Sequence, residues 1–346
     1  MLGEQCHPPG PVVAERHLST PAFRQTSRLA LVQLCQFHQI RKAQKKLVVM
    51  NLATAAAARN SNIVTAADSL TQLPMHILVT NDDGPESPFV LALVKAAALL
   101  GSVTVVLPHS ERSWTAKAMT RNADLHLTSH KFKGERFDRV TSFTLEGTPA
   151  DCVNAGFYHV CPKRPDLVLS GVNVGENTGV AYVASSGTIG ACIEANIAGV
   201  PSIAFSQQLS ENAFASWSSR DDLTSTSSEL VQTADQLERM APQILEELSP
   251  IYSQKNPLSA HKIPVWSVNI PWRLSPDWRI VPCSLDRARY GSCFQRHGEA
   301  FRHVGAPAIL NRDEGADVSV LADGCVSLTL IDLWSIGQEV VSLPSS

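Results

Sequence analysis

Two adjacent carboxylates, Asp82 and Asp83, stand in the turn-forming segment Asn81-Asp-Asp-Gly84, directly after a short β-prone run. On a regular strand, neighbouring side chains would point to opposite faces, but in a turn both carboxylates can converge. They then repel each other unless a proton or a cation lies between them. A hard divalent cation such as Mg²⁺ or Mn²⁺ suits such a pair. A polar turn that also caps the next helix is the alternative interpretation.

Two loop segments could add neutral ligands to this pair. Arg112 and Ser113 follow the second predicted strand, where the arginine could pair with phosphate and the hydroxyl could bind a hard cation. Most loop serines, however, only form turns or caps. The glycine-containing segment 170–177 follows another predicted strand and includes Asn173 and Asn177. It could contact a ligand, or it could be a flexible surface loop.

The segment 185–190, Ser-Ser-Gly-Thr-Ile-Gly, indicates an anion site at a predicted helix start. Ser186, Gly187 and Thr188 would place hydroxyls and exposed N–H groups at the positive end of the helix dipole. An ordinary Ser/Thr cap would use the same residues. A hard cation beside an anion site would polarise a phosphoryl group and activate water. Together, the segments therefore favour phosphoryl chemistry.

Strands and helices alternate after Met75, and these elements must position the polar segments. Apolar runs without alternation predict buried strands of a parallel sheet that is covered on both faces. These runs are 76–80, 103–107, 166–170, 202–205 and 265–270. Predicted helices are 89–100, about 188–198 and an amphipathic stretch from Leu230 to Ile251. Ligands bind at the carboxyl ends of the strands in such sheets, and the polar segments fall at those ends.

The chain divides into a leader, a core and a less regular extension. Residues 1–74 hold eight Lys or Arg and three acids, whereas the remaining chain holds 21 bases and 29 acids. We predict that this leader lies outside the fold. It could be an organelle-targeting segment, a disordered tail or the product of a mispredicted start before Met50 or Met75. The core spans about 75–272, a β-rich extension about 273–330 with a possible strand at 326–331, and 336–346 is a tail.

Bulk properties argue against several classes of protein. The acidic body disfavours a nucleic-acid duplex as the main partner, because backbone affinity comes from clustered Lys and Arg. No run approaches the roughly 20 apolar residues that span a bilayer. The eight cysteines form no CxxC motif, which favours a reduced intracellular protein, cytoplasmic unless the leader is a targeting segment. The missing GxGxxG fingerprint disfavours a Rossmann oxidoreductase. Asn81 replaces the first Asp that a haloacid-dehalogenase-type phosphatase would need.

The order and spacing of the motifs resemble those of the SurE family, the survival-protein 5'/3'-nucleotidases. The resemblance covers about residues 75–335. Trp114 and the segment 185–190 are more similar to eukaryotic, fungal-type members than to bacterial ones. The matching segments are 81–84, 112–113, 146–153, 165–177, 186–188, 268–271 and 323–327.

This resemblance implies a Rossmann-like three-layer αβα sandwich with a mostly parallel sheet, and a β-rich extension that serves dimerisation. It therefore predicts a homodimer or tetramer. It implies one divalent metal ion, Mg²⁺ or Mn²⁺, and the ligands that carry over are Asp82, Asp83, Ser113 and Asn173. The catalytic candidates are Asp82 and Asp83. The positions assigned to phosphate or substrate are Asn81, Asn177, Ser186, Gly187 and Thr188, with a supporting role for Gly147, Thr148 and Asp151.

The predicted function is metal-dependent hydrolysis of a small phosphomonoester, a nucleoside 5'- or 3'-monophosphate, to nucleoside and phosphate. A catalytically silent nucleotide-binding or scaffold protein on the same fold is the alternative. His109, Trp114, Ala316 and Cys325 depart from the family pattern. None of them is a candidate metal ligand, so these departures concern substrate preference and oligomer contacts.

Overall fold

A nine-stranded sheet runs through the structure, a computed structural model that describes residues 75–132, 137, 139–218, 227–252, 263–304 and 308–336. The predicted leader 1–74 and the predicted tail beyond residue 336 lie outside the described residues. The strands are β1 (Met75–Thr80), β2 (Gly101–Pro108), β3 (Leu127–Ser129), β4 (Val140–Leu145), β5 (Leu167–Val174), β6 (Ser202–Gln207), β7 (Val265–Ile270), β8 (Ile280–Cys283), β9 (Arg289–Tyr290), β10 (Phe294–His297), β11 (Ala300–His303), β12 (Ala308–Ile309) and β13 (Val326–Ile331).

Helices connect most of these strands. They are α1 (Val90–Leu100), α2 (Pro149–Ala155), α3 (Gly179–Ser185), α4 (Gly187–Ile197), α5 (Glu211–Ser218), α6 (Ser228–Glu247), α7 (Ser249–Tyr252) and α8 (Asp317–Ala322). A π-helical turn, Gly156–Val160, continues α2, and a 3₁₀ turn, Leu333–Ser335, follows β13. No helix in the described ranges is both long and apolar enough to cross a membrane.

Six central strands are parallel and follow the order β4-β2-β1-β5-β6-β7. From β1 the chain builds the sheet first in one direction, through β2 and β4, and then in the other, from β5 to β7. This is the doubly wound Rossmann-like order, and it places a topological switch point between β1 and β5. The predicted α/β fold with a mostly parallel sheet is confirmed.

Burial on both faces explains the unalternating apolar strands. Leu78 packs in one core cluster with Cys152 of α2 and Ala191 of α4. Ile77 and Val79 flank Leu78 along β1 and are also completely buried. Because neighbouring side chains on a strand point to opposite faces, helices must cover both sides of β1.

The predicted β-rich extension after β7 is also confirmed, and two of its strands continue the central sheet. β13 pairs antiparallel with β7, and β8 pairs parallel with β13. The predicted strand at 326–331 therefore exists, but it extends the main sheet. Among the described residues, β10–β11 and β9–β12 form separate two-stranded sheets. Strand pairing over such sequence distances is decided by tertiary packing rather than by local pattern.

Asp317 holds this C-terminal region against the segment that follows β5. Its fully buried carboxylate accepts hydrogen bonds from the backbone N–H groups of Gly179 (2.7 Å), Asp286 (2.8 Å) and Val318 (2.9 Å). Burial raises the pKa of Asp317, while these N–H donors oppose the rise.

Replacing Asp317 with Ala is expected to lower the free energy of unfolding by about 3–5 kcal/mol, because three buried N–H donors lose their acceptor. Urea unfolding followed by circular dichroism measures this change. Asp317→Asn, which keeps one acceptor oxygen, should lose less, and the exposed Asp323→Ala should change stability little. Equal stability of Asp317→Ala and wild type would contradict a structural role for this carboxylate.

Candidate active site

The candidate site lies at the carboxyl edge of the sheet, on both sides of the switch point. Asp82 and Asp83 follow β1, and Asn173 lies near the end of β5. β5 continues to Val174, beyond the strand that the sequence predicts, through an irregularity in its pairing with β6 between Ser170 and Asn173. Gly171 makes this irregularity possible. It adopts a φ of +125°, and a Cβ there would overlap the carbonyl oxygen of Phe205.

Asp82 is a buried carboxylate that points at the start of α4. It is 3% exposed, and its Oδ1 accepts a hydrogen bond of 2.7 Å from the Thr188 hydroxyl. Burial raises the pKa of Asp82 to about 6, and the hydrogen bond from Thr188 lowers it in part. A carboxylate in this position is poorly solvated, so a cation that binds it would relieve an existing electrostatic penalty.

Asp83 is fixed from the neighbouring strand. It is 6% exposed, and its Oδ2 accepts a hydrogen bond of 2.9 Å from the backbone N–H of Val174. Asn173 directs its side-chain NH₂ group to the carbonyl oxygen of Gly175 at 2.7 Å. With the nitrogen engaged, Oδ1 is the atom of Asn173 that suits a hard cation.

The loop after β2 carries Ser113, a predicted metal ligand. The backbone N–H of Arg112 donates to the carbonyl oxygen of Asp82 at 2.7 Å, so this loop is tied to the Asp82–Asp83 turn. Ser113 is exposed, and its hydroxyl donates to Glu111 Oε1 at 2.8 Å. Glu111 is also a source of negative charge that raises the pKa of Asp82. The segment 110–116 thus contributes a carboxylate that sequence reasoning missed.

The predicted anion site is the N-terminus of α4. Ser186 is the N-cap residue, and its hydroxyl accepts a hydrogen bond of 3.2 Å from the N–H of Ile189. The capping interpretation of this serine therefore holds in the structure, although it does not exclude a ligand at the same helix end. Gly187 lies directly over Asp82. A Cβ on Gly187 would come within 2.9 Å of Asp82 Cβ and 3.0 Å of Asp82 Oδ2.

The two remaining predicted residues have different surroundings. Asn81 closes its own turn: its side-chain NH₂ donates to the Gly84 carbonyl at 2.7 Å and its Oδ1 accepts from the Gly84 N–H at 3.1 Å. Asn177 is buried beside the site, where its NH₂ contacts the hydroxyls of Ser206 (2.9 Å) and Thr188 (3.5 Å). Asn177 is thereby linked through Thr188 to Asp82, whereas Asn81 shapes the turn that presents the carboxylates.

Further residues support the site and were missed in the sequence. Ser206 is the penultimate residue of β6, and the Oδ1 of Asn269 in β7 accepts a hydrogen bond of 2.8 Å from the N–H of Asn177. Both residues lie at the carboxyl ends of parallel strands, where ligand sites form in such sheets, so their positions in the sequence could have identified them. The predicted supporting residue Asp151 accepts hydrogen bonds from the N–H and the hydroxyl of Thr120, and so holds the loop that contains Ser113.

The described residues contain no group of three or more His, Cys, Asp or Glu side chains that could hold a metal ion. The polar groups gathered at the switch point are instead two carboxylates together with hydroxyls and amides. Fold and site together define a Rossmann-like α/β protein with an acidic, hydroxyl-lined site at its switch point.

Comparison with known proteins assigns the family. The model of the family described as Survival protein SurE matches residues 77–292, and the chain belongs to this family. Its relatives include the 5'-nucleotidase SurE of Pelobacter propionicus, 44% identical over 141 residues, or 40% of this chain and 53% of that protein. The 5'-nucleotidase SurE of Geobacter sulfurreducens is 43% identical over 134 residues, which cover 38% of this chain and 47% of that protein.

The chain spans about half the length of the curated relatives that it matches. Among solved structures, the SurE protein from Aquifex aeolicus superimposes with a TM-score of 0.53 at 24% sequence identity. The superposition covers 76% of this chain and 95% of that chain. This likeness shows that the two proteins share a fold.

Proposed function

We propose that this protein is a divalent-metal-dependent phosphomonoesterase that hydrolyses nucleoside 5'- or 3'-monophosphates. The observation that supports it most directly is the buried Asp82 carboxylate facing the N-terminus of α4, with Asp83 beside it. A buried carboxylate that faces a helix N-terminus supports a cation site next to an anion site. The relatives bear the name 5'-nucleotidase SurE, which agrees with a phosphate ester as substrate.

The residues present fit a hard divalent cation. Asp82 and Asp83 are adjacent in the chain and both buried, and burial raises the pKa of Asp82, so a bound cation would stabilise the ionised carboxylates. Oxygen donors are what Mg²⁺ and Mn²⁺ prefer. The proposed ligands are Asp82, Asp83, Ser113 and Asn173. When bound, the metal would act as a Lewis acid on the phosphoryl oxygens and lower the pKa of water.

The side chains of this protein would supply orientation and proton transfer. Thr188 and the Val174 N–H fix the two carboxylates, so that Asp82 or Asp83 can position the attacking water and accept its proton. The start of α4, at Ser186, Gly187 and Thr188, would hold the non-reacting phosphate oxygens. Asn177 would keep Thr188 in place, and Asn81 would shape the turn. The P–O bond to the leaving alcohol breaks as water oxygen bonds to phosphorus, and the alcohol takes up a proton.

The proposal also covers the oligomeric state, the location and the partner of the protein. We infer a homodimer or tetramer built through the β-rich region 273–330, in one domain of about 75–335, and an intracellular location. The basic leader 1–74 would direct an organellar location if it is a targeting segment. The proposed partner is a small phosphomonoester rather than a nucleic-acid duplex, because the chain after residue 74 has 21 bases against 29 acids.

Phosphate release from a panel of 5'- and 3'-nucleoside monophosphates, with Mg²⁺, Mn²⁺ or EDTA, tests this function. We expect metal-dependent release that EDTA abolishes. Asp83→Asn should lose about 10²–10³-fold in kcat, in the range of one lost electrostatic group in an active site. The exposed Asp235→Asn on α6 is the matched control and should behave as wild type. Full turnover by Asp83→Asn would disprove the assignment, and folded protein that binds nucleotide without releasing phosphate would indicate a silent binding protein.

A further inference from the structure

An aromatic cluster, which we call the aromatic wall, is formed by Trp114, Tyr182, Tyr290 and His303. The Trp114 ring lies 6.0 Å from the Tyr182 ring, 5.1 Å from the Tyr290 ring and 5.3 Å from the His303 ring, all in T-shaped contacts. Tyr182 and Tyr290 also meet each other at 5.6 Å. These residues come from the loop after β2, from α3, from β9 and from β11, so the wall joins four separate parts of the chain.

The aromatic wall adjoins the candidate active site through two connections. Trp114 follows Ser113, a proposed metal ligand, and precedes Thr115. The Thr115 hydroxyl lies close to Gly187 at the start of α4, since it would be 3.1 Å from a Cβ added to that glycine. On the other side, the Tyr290 hydroxyl is 2.9 Å from the Ser185 hydroxyl, which directly precedes the N-cap of α4. A group attached to a phosphate at the start of α4 would therefore have this wall as its neighbour.

Trp114 itself has an unusual conformation and exposure. Its φ of 62° lies in the left-handed region, which is unfavourable for a bulky side chain and persists where the surroundings impose it. Its backbone position is held by its neighbours, because the N–H of Ala116 donates to the Ser185 carbonyl at 3.0 Å. Even so, 41% of Trp114 remains exposed. A rigidly held, partly exposed indole is suited to contact a planar ligand.

We propose that the aromatic wall binds the base of the nucleoside monophosphate and that Trp114 is the residue that sets the preference for substrates whose leaving group carries a planar base. This inference rests on the proposed function, since it places the phosphate at the start of α4. Stacking on aromatic side chains tolerates every base, because each has a π-face. The wall thus predicts broad base tolerance together with discrimination against phosphomonoesters that have no base.

The test compares AMP with ribose 5-phosphate, which has the same primary phosphate ester but no base. Kinetics of full-length wild type, Trp114→Ala and Trp114→Phe give the ratio of kcat/KM for the two substrates. We expect Trp114→Ala to lower this ratio about 10-fold, mainly through KM for AMP, since losing one stacking aromatic typically weakens base binding about 5- to 140-fold. Trp114→Phe should restore most of the ratio.

Trp334→Ala is the matched control, because Trp334 is 38% exposed and follows β13, which runs antiparallel to β7 and so ends at the opposite edge of the sheet. It should leave the ratio unchanged. An unchanged ratio in Trp114→Ala would overturn the proposal. An equal loss of kcat/KM on both substrates would also overturn the proposal, because it would mean a general catalytic defect or a changed oligomeric state. Light scattering measures the oligomeric state of the variant.

Binding of adenosine, which has no phosphate, separates this inference from the proposed function. Titration of wild type should give saturable NMR line broadening or chemical-shift changes that Trp114→Ala weakens about 10-fold. If wild type releases no phosphate from any ester but binds adenosine through Trp114, the proposed function fails and the aromatic wall stands. If wild type hydrolyses AMP but adenosine binding does not depend on Trp114, the aromatic wall fails and the function stands.

Discussion

Asp82→Asn is expected to reduce metal-dependent phosphate release by about 10²–10³-fold and, in the same protein freed of metal, to increase the free energy of unfolding. Both effects have one origin. Asp82 is 3% exposed, so its charge is useful only when a cation compensates it. Asparagine keeps an acceptor for the Thr188 hydroxyl but has no charge to attract a metal ion. The substitution should therefore lower the activity and raise the stability of the metal-free protein.

The gain in stability should depend on pH in a defined direction. Burial raises the pKa of Asp82 from an ordinary 3.8 to about 6, so the folded protein binds the proton more tightly than the unfolded chain. The stability that Asp82 contributes is then fully present below about pH 4 and is lost as the pH rises through 6. The difference between the two pKa values corresponds to about 3 kcal/mol. Asp82→Asn should match wild type near pH 4 and exceed it by up to that amount above pH 7.

Chemical denaturation with EDTA at several pH values, paired with phosphate release in Mg²⁺ or Mn²⁺, measures both effects. Saturating metal should reduce or reverse the stability advantage of the variant, because a ligand that binds only the folded wild type stabilises it. The exposed Asp235→Asn should show neither effect. A variant that is less stable than wild type at pH 8 without metal would show that the Asp82 carboxylate is compensated within the protein itself.

The sequence contained enough to predict the central part of the fold and the turn that bears Asp82 and Asp83. Strands buried on both faces read as unbroken apolar runs, and β1, β2, β5, β6 and β7 all have this pattern. Their carboxyl ends are where ligand sites form in parallel sheets. The helix start at Ser186 was also predictable, because Ser-Gly-Thr before an apolar helix is a capping pattern.

Other features were not predictable because they depend on contacts between distant segments. β3 is exposed along its whole length, so no apolar pattern marks it. β13 reads as a strand, but nothing in its residues reveals that it pairs antiparallel with β7. Ser206 and Asn269 are ordinary polar residues until the fold brings them to Asn177. The aromatic wall likewise exists only because four separate segments converge on Trp114.

Gly187→Ala is expected to lower kcat by about 10²-fold while leaving the protein folded. Gly187 is the first residue of α4, where alanine is compatible with the backbone and has the higher helix propensity. Its added methyl group would meet Asp82 Cβ at 2.9 Å, Asp82 Oδ2 at 3.0 Å and the Thr115 hydroxyl at 3.1 Å. These contacts are too short, so the carboxylate must move. A displacement of about 1 Å at a catalytic group can reduce the rate about 100-fold.

Gly187→Ala tests whether the space between Gly187 and Asp82 has a catalytic role or only a structural one. Gly291→Ala is the matched control, because a Cβ at Gly291 has no atom within 4 Å and should change neither kcat nor melting temperature. We expect the melting temperature of Gly187→Ala to lie within a few degrees of wild type. The higher helix propensity of alanine should offset the destabilisation caused by the short contacts of the methyl group. Unchanged kcat would mean that the space between Gly187 and Asp82 holds no reacting group. The phosphate would then have to bind away from the start of α4, and the proposed assignments of Ser186 and Thr188 would fail with it.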